Sequence, residues 1–138
     1  MKDAALRAHV WLVAALVPLL VRLAELGRLV RWLTPSPRRR PYRGIPAERI
    51  VAVVRRRLRR PRHMRRRACL REGLTLYHFL RLAGVEAELR FGVFAPPPEG
   101  GRTHAHCWVT VGEQALSAPP AEPVALVLTG EQARRLEG

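Results

Sequence analysis

Two cysteines and five histidines are the residues in this chain best suited to a reaction. Cys69 follows Arg65, Arg66 and Arg67 and opens a stretch with helical spacing. A helix N-terminus and neighbouring cations both favour a thiolate, which is the nucleophilic form of cysteine. A lone cysteine is more often a small buried apolar residue. Cys107 fits that plainer reading, because it alternates with His106 on a strand and so points to the opposite face. His104 and His106 are two apart and share a face with Trp108. A histidine on a strand beside a nucleophilic cysteine serves as general base and then as acid for a leaving amine. The alternative is a surface or structural histidine. A zinc site from His104, His106 and a cysteine is poorly supported, since Cys107 faces away and no fourth ligand is evident. No metal or cofactor is expected.

These residues need elements to hold them. Residues 1–33 read as helix, with an apolar run from Val10 to Val21 that Pro18 interrupts and that is short for a bilayer. Leu23, Leu26, Leu29, Val30 and Leu33 continue it at helical spacing. No convincing small-residue cleavage site follows, so a signal peptide is disfavoured. The preferred reading is a helix docked on its own domain or a partner. Shallow membrane contact comes second. Thr34 to Pro46 is a Pro-rich linker. Ala47 to Arg60 puts Ile50, Val51, Val54 and Leu58 on one helical face, and a basic connector follows to Arg67. Ala68 to Ala83 is the strongest helix, striped by Leu70, Leu74, Tyr77 and Leu80 and ended by Gly84. Strands are predicted over Glu86 to Phe94, Thr103 to Val111, Ala115 to Ser117 and Val124 to Thr129. The division is an N-terminal helical and linker segment, 1–46, and a core, 47–138. Helices first and an antiparallel meander second is an α+β plan.

The 138 residues fit one domain, and a 48% hydrophobic share is enough for a core. Two cysteines exclude a disulfide framework. The charge is +14, from 25 Lys+Arg against 11 Asp+Glu, with Lys2 the only lysine and Asp3 the only aspartate. A mechanism that needs an aspartate away from the N-terminus is therefore excluded. Seventeen arginines lie between Arg28 and Arg71, where Glu48 is the only acid. This band invites nucleic acid, an anionic membrane or an acidic partner. Part of the arginine excess is what a GC-rich genome writes in place of lysine. Few aromatics interleave with the arginines, Tyr42 among them, and no nucleic-acid motif appears, so nucleic acid is disfavoured.

Cysteine opening a helix, then a strand, a loop and a strand with histidine is the order of papain-like and transglutaminase-like folds. Cys69 and His106 are 37 positions apart, a compact version. The stretch from Cys69 through Gly73, Tyr77 and Leu80 to Gly84 resembles the helix motif of the transglutaminase-like leader peptidases of lasso-peptide biosynthesis. Leu89 to Val93 resembles that family's next strand. Ala105-His106-Cys107-Trp108-Val109 resembles its histidine motif. The similarity spans about residues 47–118.

That resemblance implies a small papain-like α+β core and a cysteine peptidase that removes the leader from a ribosomally made precursor. Cys69 would be the nucleophile and His106 the base, with His104 outside the motif. It implies three partners: the precursor peptide, a small leader-recognition protein, and an ATP-dependent cyclase that closes the ring. The expected location is cytoplasmic, with the first helix able to touch a membrane. Two positions depart from the pattern. Where the family has an acid, this chain has Ala118 beside Ser117. Where it usually has an arginine after the cysteine, this chain has Glu72. Glu113 and Glu122 are poorly placed to substitute. Gln114 or Ser117 are the neutral candidates to orient the imidazole, as in papain-type sites. Losing the acid of a serine triad lowers turnover by about 10⁴-fold, and a pre-ionised thiolate depends on it less. The expectation is reduced or partner-dependent activity. The alternative is a weak or inactive relative that serves as a binding or assembly component.

Overall fold

The computed structural model describes residues 1–59, 68–93, 105–117 and 126–129, with 132 and 135. Leu6, Val10, Ala14, Val17 and Val21 recur every three or four residues, and one helix buries them all on a single side. This helix, α1 (Lys2–Leu23), continues through Pro18. Proline removes one intrahelical hydrogen bond, but buried residues on both sides of it hold the helix together. The helix ends at Ala24, whose backbone is extended at φ −129 and ψ 149. The first 33 residues are therefore two helices, α1 and α2 (Leu26–Leu33), where the periodicity suggested one. By length and composition, α1 is apolar enough to cross a membrane. Its opposite face leaves Leu12, Leu16, Leu19 and Leu23 exposed.

The Pro-rich segment after α2 is held down at Tyr42. Its N–H donates to the Leu82 carbonyl, and its hydroxyl meets His9 Nδ1 at 2.9 Å. Helix α3 (Ala47–Leu58) buries Ile50, Val53 and Val54 and turns its arginines outward. Helix α4 (Ala68–Leu82) is buried around most of its circumference, not along one stripe. The reason is its position. The helices α1, α2 and α3 contact one side of it and the strands β1 (Ala87–Val93) and β2 (Ala105–Val111) the other. Gly84, at φ +81, ends α4 as expected. The Val85 N–H reaches Leu80 O and the Gly84 N–H reaches Arg81 O, which satisfies the last carbonyls.

Two shorter strands, β3 (Gln114–Ala115) and β4 (Leu126–Thr129), complete a four-stranded antiparallel sheet in the order β3-β2-β1-β4. The expected meander is corrected here: β4 pairs with β1, at the edge away from β3. Leu89, Phe91, Cys107 and Val109 are buried on the face that meets α4, with Phe91 opposite Cys107 and Leu89 opposite Val109. Residues of α1 and α2 share one hydrophobic cluster with α3, α4 and the sheet.

Candidate active site

Cys69 is in the first turn of α4 and is partly exposed. One turn further along the same helix face is Gly73, since residues four apart lie one above the other. A Cβ placed on Gly73 would stand 2.7 Å from Cys107 Sγ and 3.4 Å from Leu89 Cδ1. Helix and strand approach here as only a glycine allows. This contact fixes how α4 sits on β2. Cys69 lies roughly 6 Å before it along the helix, from four residues at the helical rise. His106 lies about 3.3 Å before it along the strand. Cys69 and His106 are thus both near this contact along their own elements, and alternation turns the His106 side chain to the face of β2 away from Cys107. The Cys107 thiol is 4% exposed. Burial pushes its pKa far up, and the nearby Cys69 adds to the shift. Cys107 is therefore a neutral space-filling group.

The His106 ring stacks on Trp108, with centroids 6.1 Å apart and planes at 24°. Both belong to the sheet face opposite Cys107, as their alternation requires. The register places Gly92 across from His106 and Arg90 across from Trp108. Glycine beside the histidine leaves no side chain on the neighbouring strand to crowd the ring.

Neither neutral candidate for the third role lies beside His106. Gln114 pairs with Val111 at the far end of β2 and is exposed. Five residues of strand separate that end from His106, roughly 17 Å. Ser117 is 6% exposed, and its Oγ accepts the Val109 N–H at 2.9 Å. Val109 is about 10 Å along the strand from His106, so Ser117 anchors the strand backbone. His104, Ala118, Glu122 and the arginines before Cys69 lie outside the described residues.

Glu72, the departure after the cysteine, has a clear partner. Arg55 of α3 donates through Nε to Glu72 Oε1 at 3.3 Å and through Nη2 to the Leu116 carbonyl at 2.6 Å. It joins α3, α4 and the segment after β3 next to the Cys69 turn. Neither Arg55 nor Gly73 was given a positioning role from the sequence. A glycine inside the strongest predicted helix was the available signal for Gly73, since it costs about 1 kcal/mol relative to alanine there. Arg55 carried no signal that set it apart from its arginine neighbours. Among the described residues, no group of three or more His, Cys, Asp or Glu side chains is placed to hold a metal ion.

A cysteine opens the central helix, and that helix packs against an antiparallel strand that carries histidine. Residues 10–127 match the family profile described as Transglutaminase-like superfamily, and the chain belongs to that superfamily, which includes cysteine peptidases. No curated protein and no solved structure shows significant similarity to it.

Proposed function

We propose that this protein is a cysteine peptidase that removes the leader from a ribosomally synthesised lasso-type precursor peptide. The observation that carries the reading is the Transglutaminase-like superfamily match over residues 10–127, with Cys69 in the first turn of α4 as its expected nucleophile. The Cys69 thiolate attacks the scissile carbonyl, and a C–S bond forms. The C–N bond then breaks, and the leaving amine takes its proton from the His106 imidazolium. Water attacks the thioester, gives its proton to His106, and releases the new carboxylate and the thiolate. Backbone N–H groups in the first turn of α4 have no intrahelical acceptors and suit the developing oxyanion.

The partners in this reading are the precursor, a small leader-recognition protein and an ATP-dependent cyclase. The protein works in the cytoplasm, and the exposed Leu12, Leu16, Leu19 and Leu23 stripe of α1 supports resting on a membrane surface. Incubation with precursor and recognition protein, followed by mass spectrometry, tests the mechanism. Cleavage is expected from the parent chain and lost in Cys69→Ala. Equal cleavage by both sinks the assignment.

A second reading is favoured by Ala118, which stands where the family pattern has an acid. It makes the chain a weak or inactive relative that acts as an assembly component. A thiol-reactive probe separates the two readings. Labelling of Cys69 that is faster than that of free cysteine at neutral pH, and that slows in His106→Ala, supports the peptidase; labelling no faster than free cysteine supports the assembly role.

A further inference from the structure

Helices α1 and α3 lie side by side in the same direction. Asp3 is tied to Arg49 at one end of the pair, and Arg57 lies over the Trp11 ring, 5.4 Å from its centroid, at the other. Eight positions separate these contacts on each helix, roughly 12 Å of helix axis. Between them is a groove of 720 Å³ lined by Arg7, Val10, Trp11, Arg49, Val53, Arg56 and their neighbours. Val10 and Val53 give it an apolar floor. Trp11, 60% exposed, forms a wall.

Its charge is one-sided. Four arginines line it, and among the described residues Arg49–Asp3 is the one ion pair that any of them makes. Arg57 Nε is buried without a hydrogen-bond partner there. So is Nε of Arg71, a 7% exposed residue that feels the Arg57 charge. Buried donors without acceptors are costly, and like charges held together add to the cost. The groove already accepts one carboxylate, since Arg49 Nη2 holds Asp3 Oδ2 at 2.6 Å.

We propose that this groove is a docking site for an acidic peptide segment of a separate chain, with carboxylates flanking one apolar side chain. The apolar residue seats on Val10 and Val53 against Trp11. The carboxylates meet Arg7 and Arg56 along the walls and the Arg57 end. In an extended peptide, glutamates four positions apart share a face with the residue midway between them and span about 13 Å, which matches the groove. An extended nucleic-acid strand suits it less well, because Trp11 is the one aromatic wall and stacking needs a series. The site does not depend on the peptidase reading.

The test uses the full chain carrying Cys69→Ala, so that turnover plays no part. The probe is a fluorescein-labelled peptide with Glu-Ala-Leu-Ala-Glu in a Gly/Ser background, followed by fluorescence anisotropy. Saturable binding that weakens with salt is expected. The Arg7→Glu/Arg56→Glu double variant should weaken it by about tenfold or more. Both side chains are exposed, so the variant should keep the parent's thermal unfolding midpoint. Trp11→Ala should also weaken binding. The proposal fails if a lysine version of the peptide binds equally well, or if the charge reversal leaves affinity unchanged. It also fails if an oligothymidine or phosphatidylglycerol vesicles displace the peptide and bind more tightly than it does.

Discussion

Two seams of this molecule are built from opposite materials. Between α4 and β2, Gly73 and Cys107 bring helix and strand into apolar contact too close to admit even a methyl group. Between α1 and α3, arginines face one another across an open groove, with one carboxylate among them. The first seam is complete within the chain and gains its stability from burial. The second leaves guanidinium groups short of acceptors and gains by meeting something acidic. A reaction that needs fixed geometry fits the first, and recognition of a separate chain fits the second.

The largest expected effect separates the two seams by function. Cys69→Ala should remove turnover, by at least roughly 10³-fold for loss of a nucleophile, while acidic-peptide binding at the groove stays unchanged. Loss of both together would show that the seams act as one site. Next comes Gly73→Ala. Alanine gains about 1 kcal/mol of helix propensity. The added methyl must displace Cys107 Sγ, and overpacking of this kind costs about 1–3 kcal/mol. Net destabilisation in urea unfolding is expected, with most of it recovered in Gly73→Ala/Cys107→Ala. A single variant more stable than the parent would mean the seam is looser than the 2.7 Å approach implies.

These two seams also mark what the sequence could and could not show. Helix α4 and its Gly84 stop were legible because both signals are local: side-chain period and a positive-φ cap. The strands β1 and β2 were legible because alternation is local too, and it also assigned Cys107 and His106 to opposite faces. The place of β4 was not, because strand order is decided by which edge remains free after α4 covers the sheet. The break at Ala24 was not legible either, since leucines continue at helical spacing on both sides of it. Within the site, Cys69 and His106 stood out by residue type and order. Gln114 and Ser117 were singled out by closeness in sequence, and a strand carries such residues about 3.3 Å apart per position. The groove was hidden because it joins Arg7 and Trp11 to residues some forty positions later.

A pH titration sharpens the contrast between the helical layer and the sheet. His9 and His78 lie among Tyr42, Phe79 and each other, with centroid distances of 4.9–6.2 Å within the cluster. Burial lowers the pKa of both. For His78 the burial effect is the largest, its hydrogen bond to Leu33 O opposes it in part, and the nearby His9 adds a smaller lowering. The unfolded chain then binds protons at these sites before the folded chain does. Stability is full above the ordinary histidine pKa of about 6.5 and falls as pH drops below it. Thermal unfolding between pH 8 and pH 5 should show this decline, and His9→Gln/His78→Gln should flatten it. An unflattened decline would move its origin elsewhere.

The smallest expected effect tests the bridge that ties the two seams together. Arg55 stands on α3, the outer wall of the groove, and reaches Glu72, one turn past Cys69, as well as the Leu116 carbonyl. The Arg55 side chain is 46% exposed and Glu72 33% exposed, so water screens the pair. A double-mutant cycle on Arg55→Ala and Glu72→Ala should give a coupling of about 0.2–1 kcal/mol. Arg55→Ala alone should cost more than Glu72→Ala, because only the former also loses the bond to Leu116 O. The order matters more than the size. If Glu72→Ala is the costlier single change, the Arg55 guanidinium is held chiefly by the carboxylate, and the tie between α3 and the end of the sheet is secondary.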